Sequence, residues 1–501
     1  MKIADVKTMR AMDEKAINEY GIPGIILMEN AALALLKHMD LNKKYFVIVA
    51  GKGNNGGDGF ALARQLKNLG KEVDLFYVSD RGEPEGDARV FYNMVTKLQI
   101  SIENVTKEKN LWLFQDALEE ADVIIDGLLG TGLSGELSPF LQEVINTMNY
   151  YHHKIISIDV PSGLLVDEGK PNPVAIKAKK TVTFECMKKG FLAYSALPYL
   201  GETKVVPIGI PEQIKNSFVF SGEIITKKMA QDLLPVRKII GHKNTYGHVL
   251  VVAGSPGFTG AALLSSRAAL VTGAGLVSLY SHEKSMETLV LRLTEIMSLN
   301  EDKLEDGVKN AQVVAFGPGL GNTRDTQKLL MRVIKTLHEE GKTDATLVID
   351  ADGLNVLKTR LEILKPLCFQ VILTPHPGEM ERLTGKTKLE IEENRMEIAK
   401  RFAKEYGVIL VLKGYHTVVT DGDKVYVNQT GSSAMAQGGM GDVLTGIIAS
   451  LAGQGLPAIE AAALGVYLHG GIGDELAKNQ YSIKASEIID NIPFFMKKLQ
   501  S

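Results

Sequence analysis

Gln437-Gly438-Gly439-Met440-Gly441-Asp442 runs into Val443-Leu444-Thr445-Gly446 and the apolar stretch 447–452. A glycine-rich turn that opens a helix presents several backbone N–H groups at the positive end of the helix dipole, where phosphate is the natural guest. Asp442 places a carboxylate at that turn. As a cap it would satisfy free N–H groups of the new helix; beside a bound phosphate it would serve as a general base. The closely spaced glycines open the backbone to a ligand further than a cap requires, which favours the base.

A second glycine-rich segment, Gly51-Lys52-Gly53-Asn54-Asn55-Gly56-Gly57-Asp58-Gly59, follows the apolar run Tyr45-Phe46-Val47-Ile48-Val49-Ala50 and precedes a helical pattern from Phe60 to Leu66. Strand, glycine loop and helix in that order form a nucleotide-binding turn. The letters match neither the dinucleotide GxGxxG pattern with its downstream acid nor the Lys-Ser/Thr end of a P-loop. Two later strands end in aspartates: Asp126 leads into Gly130-Thr131-Gly132-Leu133-Ser134-Gly135-Glu136, and Asp159 into Val160-Pro161-Ser162-Gly163. Either aspartate alone reads as a loop cap. Both together, with a glycine loop at a third strand end, read as a site of mixed oxygen ligands. No His or Cys cluster accompanies them, which argues against zinc and leaves a weakly held hard cation. In the second half, strand ends carry Gly317-Pro318-Gly319-Leu320-Gly321, Asp350-Ala351-Asp352-Gly353, Thr374-Pro375-His376-Pro377-Gly378-Glu379 and Lys413-Gly414-Tyr415-His416-Thr417. Taken singly, His376 reads as a loop-packing imidazole and Lys413 as a solvated amine.

The elements that must position these residues are short apolar runs alternating with helical patterns. In the first half the runs are 45–50, 73–78, 123–125 and 155–158, closed by 179–184 and 203–210; in the second they are 248–252, 276–280, 313–316, 346–349, 371–373, 408–412 and 417–419. The first forty residues read as helix, broken at Gly21-Ile22-Pro23-Gly24. Such alternation predicts an α/β fold with mainly parallel sheets, whose ligands gather at the carboxyl ends of the strands. The glycine loop 254–260 in the second half echoes the first, as common architecture rather than an internal repeat.

A chain of 501 residues exceeds what one core usually serves. The turn-forming residues 209–222 make a link, which gives two domains, 1–221 and 222–501. A net charge of −3 shows no footprint for nucleic acid or an acidic membrane. Cys186 and Cys368 stand apart with no metal-type spacing, as in a reducing compartment. Met1-Lys2-Ile3 opens no signal peptide and no run reaches membrane-spanning length, so a cytoplasmic protein is expected.

Taken in order, Asn54-Asn55-Gly56-Gly57-Asp58-Gly59, Gly130-Thr131-Gly132, Asp159-Val160-Pro161-Ser162-Gly163, Gly317-Pro318-Gly319-Leu320-Gly321, His376-Pro377-Gly378-Glu379 and Gly438-Gly439-Met440-Gly441-Asp442 resemble the bifunctional enzymes that repair hydrated NAD(P)H. The sequence departs from that pattern at Ala32, where the family more often has glycine, and at Gly353, where alanine is more usual. The resemblance implies a Rossmann-like epimerase domain followed by a ribokinase-like dehydratase domain. The substrates would be NADHX and NADPHX, whose reduced ring carries a hydroxyl at C6 in the R or S configuration. In the first domain it implies that Asn54, Asn55, Gly56, Gly57 and Asp58, with Gly130, Thr131, Gly132, Leu133, Ser134, Gly135, Glu136 and Asp159, hold the hydrate. Asn55, Asp126 and Ser162 would bind K+, and Asp159 would transfer protons. In the second it places Ala261, Gly319, His376 and Asp442 around the S hydrate, and Lys413, Gly414, Tyr415, His416, Thr417 and Gly441 around an adenine nucleotide. ADP with Mg2+ is the expected phosphate donor, ATP the alternative, and a homo-oligomer the expected assembly. Two other readings stay open on the residues alone. A small-alcohol kinase would share the glycine–aspartate turn but leave the first domain unexplained; a nucleotide-binding protein without catalysis would have no need of Asp442.

Overall fold

The computed structural model describes residues 1–79, 82–106, 110–133 and 135–500, and the chain divides into two compact units, Met1–Ser221 and Gly222–Ser501. In the first unit seven strands form one sheet: Tyr45–Ala50 (β1), Glu72–Val78 (β2), Ile102–Val105 (β3), Val123–Gly127 (β4), Ile155–Ile158 (β5), Lys180–Phe184 (β6) and Glu202–Val206 (β7). Their order is β3-β2-β1-β4-β5-β6-β7, and every neighbouring pair is parallel. The near-continuous apolar character of β1 follows from burial on both faces. Phe46, Ile48 and Ala50 pack with helices Val6–Asn18, Gly24–Leu36 and Asn54–Asn68, while Val47 and Val49 pack with Leu111–Glu120 and Pro139–Asn149 on the other face. The chain leaves β1 in one direction for β2 and β3, then returns beside β1 as β4. That reversal opens a crevice at the carboxyl ends of β1 and β4.

The structure moves one expected boundary. The helix after β1 begins at Asn54 rather than at Phe60, so Asn54 to Asp58 form its opening turns and only Gly51 to Gly53 remain as loop. Gly56 permits this: a Cβ there would stand 1.8 Å from the carbonyl oxygen of Gly51. The first residues are not helical either, since Lys2–Ala4 forms a strand that pairs in parallel with Met187–Lys188. The short strands β3 and Met297–Leu299 carry too few residues to show a period.

The second unit holds Gly222–Ile224 (β8), His248–Val252 (β9), Leu276–Tyr280 (β10), Met297–Leu299 (β11), Val313–Phe316 (β12), Thr346–Ile349 (β13), Gln370–Leu373 (β14), Ile409–Leu412 (β15), Thr417–Thr420 (β16) and Val425–Asn428 (β17). They lie in the order β8-β17-β16-β15-β14-β13-β12-β9-β10-β11. From β15 to β11 all pairs are parallel, and β15, β16 and β17 form an antiparallel meander. Here the chain reverses between β9 and β12. Helices Thr259–Thr272, Met440–Gly453, Ala458–Ala477 and Ala485–Gln500 supply much of the core beside the sheet. Among the described residues no helix is long and apolar enough to cross a membrane.

Helices Thr259–Thr272 and Met440–Gly453 approach closely because small residues face each other. A Cβ on Gly446 would meet the Ser265 carbonyl oxygen at 2.2 Å and the Ala268 Cβ at 2.8 Å. Backbone cannot yield as a flexible side chain does, so Gly446→Ala should destabilise the unit by about 1–3 kcal/mol. Gly260→Ala, with nothing within 4 Å of the new Cβ, should shift stability by less than about 0.5 kcal/mol. Thermal melting of the two variants checks this; equal melting points would contradict the packing account.

Candidate functional site

The crevice of the first unit is a cavity of about 950 Å³ whose wall includes Asn54, Asn55, Asp58, Gly130, Thr131, Gly132, Leu133, Glu136 and Asp159. Strand ends β1, β4 and β5 thus deliver to one space the residues that the sequence spreads over a hundred positions. Gly56, Gly57 and Gly135 are not on that wall. Gly56 packs on Gly51, and a Cβ at Gly57 would strike Met28 and Ala88. Ser134 lies outside the described residues.

Asp126, at the end of β4, is fully buried. Burial pushes its carboxyl above the usual range, against hydrogen bonds from Ser162 and Ser157 that hold it down. Ser157 Oγ donates to Oδ2 at 2.7 Å, the Ser162 N–H to the same oxygen at 2.9 Å, and Ser162 Oγ to Oδ1. Asn55 Nδ2 donates to the Leu129 carbonyl at 2.8 Å, an oxygen shared with Ser162 Oγ. Asn55, Asp126 and Ser162 therefore meet around one turn. One carboxylate among neutral oxygens suits a monovalent cation better than a divalent one.

Asp159 takes a left-handed backbone, φ +57°, rare for a residue with a Cβ. Its Oδ1 accepts from Thr183 Oγ1 at 2.9 Å and the Phe184 N–H at 3.1 Å, and lies 2.9 Å from the Lys188 ammonium. Lys188 is fully buried and also donates to the Phe184 carbonyl at 2.9 Å. Oδ2 of Asp159 has no hydrogen-bond partner among the described residues. Lys188 was not legible as a site residue, because Met187-Lys188-Lys189 reads like any solvated pair of lysines.

In the second unit, Gly439 has φ +89° and caps the helix Met440–Gly453, with Asp442 in its first turn. Burial raises Asp442 to about 6, with Asp350 adding to the shift and Lys413 opposing it. Lys413, at the end of β15, donates to Asp350 Oδ1 at 2.7 Å and lies 4.0 Å from Glu379 Oε2. Burial alone would lower its pKa, but Asp350 and Glu379 outweigh it and the net direction is upward. Lys413 is thus a half-buried, ion-paired ammonium and not a solvated surface amine. Thr445 Oγ1 holds the other oxygen of Asp350 at 2.8 Å. A Cβ at Gly441 would lie 3.3 Å from Lys413 Nζ, which seats the turn directly over the ion pair.

His376 caps the helix Pro377–Thr384 through Nδ1, which accepts from the Gly378 N–H at 3.0 Å, while Glu379 Oε2 accepts the His376 N–H at 2.8 Å. Burial and the nearby Lys413 lower the His376 pKa, and burial raises that of Glu379. Gly319 lies against Ala261: a Cβ on Gly319 would come within 3.0 Å of the Ala261 Cβ. Gly414, Tyr415, His416 and Thr417 join β15 to β16, with the Tyr415 and His416 rings 4.0 Å apart. Behind them Arg395, buried on Arg395–Tyr406, donates to the carbonyls of Leu412 at 2.7 Å and Lys413 at 3.0 Å. Arg395 fixes the strand end that presents Lys413. It stands in an amphipathic helical pattern that reads as surface, and nothing in the sequence marked it.

Residues 249–494 match the family described as NAD(P)H-hydrate dehydratase, and residues 24–190 match the YjeF-related protein N-terminus. The bifunctional NAD(P)H-hydrate repair enzyme of Moorella thermoacetica is 38% identical over 522 aligned residues, covering 100% of this chain and 97% of that one. The enzyme of the same name from Escherichia coli is 33% identical, covering 89% of this chain and 84% of its own. Among solved structures, a ribokinase-like superfamily protein from Enterococcus faecalis superposes with TM-score 0.51 at 29% identity, over 57% of this chain and 99% of that one. A hypothetical protein from Streptococcus mutans gives TM-score 0.51 at 31% identity, over 56% of this chain and 100% of that one. With a family matched in each half and a relative aligned along the full length, this chain belongs to the family of bifunctional NAD(P)H-hydrate repair enzymes.

Proposed function

We propose that the first unit interconverts the R and S hydrates of NADH and NADPH, and that the second dehydrates the S form back to the reduced cofactor using ADP. The observation that carries the second assignment is the arrangement at Gly441 and Asp442: a carboxyl with a pKa of about 6, open backbone amides at a helix start, and the ion-paired Lys413 ammonium beneath them. Asp442 takes the proton from the C6 hydroxyl as that oxygen attacks the terminal phosphorus of ADP. The new O–P bond forms while the bond to the leaving AMP breaks, and the amides at the turn with Lys413 hold the charge spread over the phosphoryl oxygens. The ring nitrogen then expels phosphate, its lone pair forming N1=C6 as the C6–O bond breaks. Loss of a C5 proton returns the pair to nitrogen and restores NAD(P)H.

In the first unit Asp159 exchanges protons at the C6 oxygen as the hydroxyl leaves and returns. Asp159 lies on the cavity wall, its Oδ1 anchored and its Oδ2 without a partner among the described residues. Asn54, Asn55 and Asp58 with Gly130, Thr131, Gly132, Leu133 and Glu136 bind the hydrate, and the amides of Gly56, Gly57 and Gly135 belong to the same turns. K+ would be held by Asn55, Asp126 and Ser162, where it offsets the buried Asp126 charge and stiffens the turn that carries Gly130. In the second unit Ala261, Gly319 and His376 line the hydrate, and Gly414, Tyr415, His416 and Thr417 meet the adenine nucleotide. Mg2+ would enter with the nucleotide phosphates and supply charge neutralisation there, as that ion does with few protein ligands. Self-association into a homo-oligomer belongs to the same proposal; the exposed Val236, Ile239 and Ile240 supply apolar surface for it.

Product analysis tests the dehydratase directly. Purified protein with the S hydrate and ADP should release free phosphate and AMP in step with NADH; a stable phosphorylated product would instead make it a small-alcohol kinase. Asp442→Asn should cut turnover by about 100-fold or more while retaining nucleotide binding. The base works only when ionised, so kcat/KM should be level above about pH 6 and fall as pH drops through that value. A rate flat down to pH 5 would remove Asp442 from the role. For epimerisation, Asp159→Asn should lower kcat by a comparable factor; full activity with unchanged substrate affinity would contradict its assignment.

A further inference from the structure

Helix Val6–Asn18 brings a third carboxyl to the cavity of the first unit. Asp13 lies on its wall with Asp58 and Asp159, although two further elements separate its helix from that of Asp58 and many more separate it from Asp159. The placement follows from strand pairing. Lys2–Ala4 lies in parallel register with Met187–Lys188, with Ala4 opposite Lys188, and the helix that starts after Asp5 delivers Asp13 two turns later. Met9, Met12 and Ala16 form the buried stripe of that helix, and Asp13 stands next to it, one turn from Met9.

Neither Asp13 nor Asp58 has a hydrogen-bond or ion-pair partner among the described residues, and Asp58 is only 8% exposed on the same wall. Asp13 is half-buried, and both carboxyls are left open to the cavity, where a ligand can meet them. The fully buried Lys188 is engaged by Asp159 Oδ1. Asp13 is pushed up to about 6 by burial, which Lys188 opposes and Asp159, Glu185 and Glu14 reinforce; burial raises Asp58 well above the carboxylate range. Arg10 and Lys52 also lie on the wall, but neither forms an ion pair with Asp13 or Asp58 among the described residues, so carboxyls gathered in this cavity disfavour full ionisation. Asp13 and Asp58 thus hold a proton more readily than an ordinary carboxyl does.

We propose that Asp13 is the second proton-transferring carboxyl of the epimerase site, working with Asp159 on the same hydrated ring; this rests on the epimerase reading of the first unit. In the R to S direction Asp13 gives its proton to the C6 hydroxyl oxygen. The C6–O bond breaks with its electron pair on oxygen, the N1 lone pair forms N1=C6, and water departs. Water then adds to the opposite face of C6, the π pair returns to N1, and Asp159 Oδ2 takes the proton released by the incoming water. The reverse direction exchanges the two roles, so the pair carries one proton in total.

The test uses the full chain without nucleotide, so that dehydration is idle, and follows conversion of one purified epimer into the other by chromatography. Asp13→Asn should lower kcat by about 100-fold or more while KM changes by less than about threefold. Asp13→Glu should recover at least about a tenth of the unaltered rate, and added formate should partly restore Asp13→Ala. Unchanged circular dichroism and thermal melting of both transitions, with nucleotide-dependent dehydration of the S epimer retained, verify that the variants are folded. A kcat for Asp13→Asn within twofold of the unaltered chain would overturn the proposal, as would a loss confined to KM, or a loss that neither glutamate nor formate reverses. If the unaltered chain does not exceed the spontaneous rate, the epimerase reading falls and the proposal with it.

Discussion

A carboxylate taken out of water must be answered by hydrogen-bond donors or by a cation, and each unit is arranged around that demand. Desolvating one such ion costs several kcal/mol, and removing one partner of a buried pair costs about 3–5 kcal/mol. In the second unit Asp350 is answered by Lys413 and Thr445; in the first, Asp159 is answered by Lys188, Thr183 and the Phe184 amide. These partners come from different strand ends or helices. Satisfying the charge therefore fixes the relative positions of the elements that carry the chemistry.

The same demand separates carboxylates that look alike in sequence. Asp350 has both oxygens committed, one to Lys413 and one to Thr445, so it is a fixed counter-charge. Asp442 has no such commitment among the described residues and feels burial and Asp350 together, which leaves it near 6. A base poised there is ionised at neutral pH yet basic enough to accept a proton as a phosphoryl group arrives. Parallel sheets make this sorting economical, because strand ends converge where the chain reverses direction. The αL residue Gly439 then turns the following helix so that its first amides and Asp442 lie over Lys413.

Much of the architecture was legible because fully buried parallel strands leave nothing polar to blur their pattern. Tyr45–Ala50, Val313–Phe316 and Thr346–Ile349 stand out in the sequence as they do in the fold. Lys2–Ala4, Ile102–Val105, Met297–Leu299 and Gly222–Ile224 did not, since three or four residues carry no period and tertiary pairing alone makes them strands. The helix that starts at Asn54 was hidden by its glycines, which oppose helix formation locally but are required where the turn meets Gly51. At the sites, residues held in glycine-rich motifs could be found by their company. Asp13, Lys188 and Arg395 could not, because their importance comes from a register or a strand end supplied from elsewhere in the chain.

Carrying both halves of the repair in one chain is what the two units achieve together. It is tested most directly by adding the purified protein, Mg2+, K+ and ADP to a mixture of both hydrate epimers and following the near-ultraviolet absorbance of the reduced nicotinamide ring. Enzymatic recovery of the whole cofactor, at a rate above spontaneous epimerisation and with one phosphate released per ring restored, is the predicted result. Recovery that halts when the S epimer is spent, or no recovery with either ADP or ATP, would contradict it.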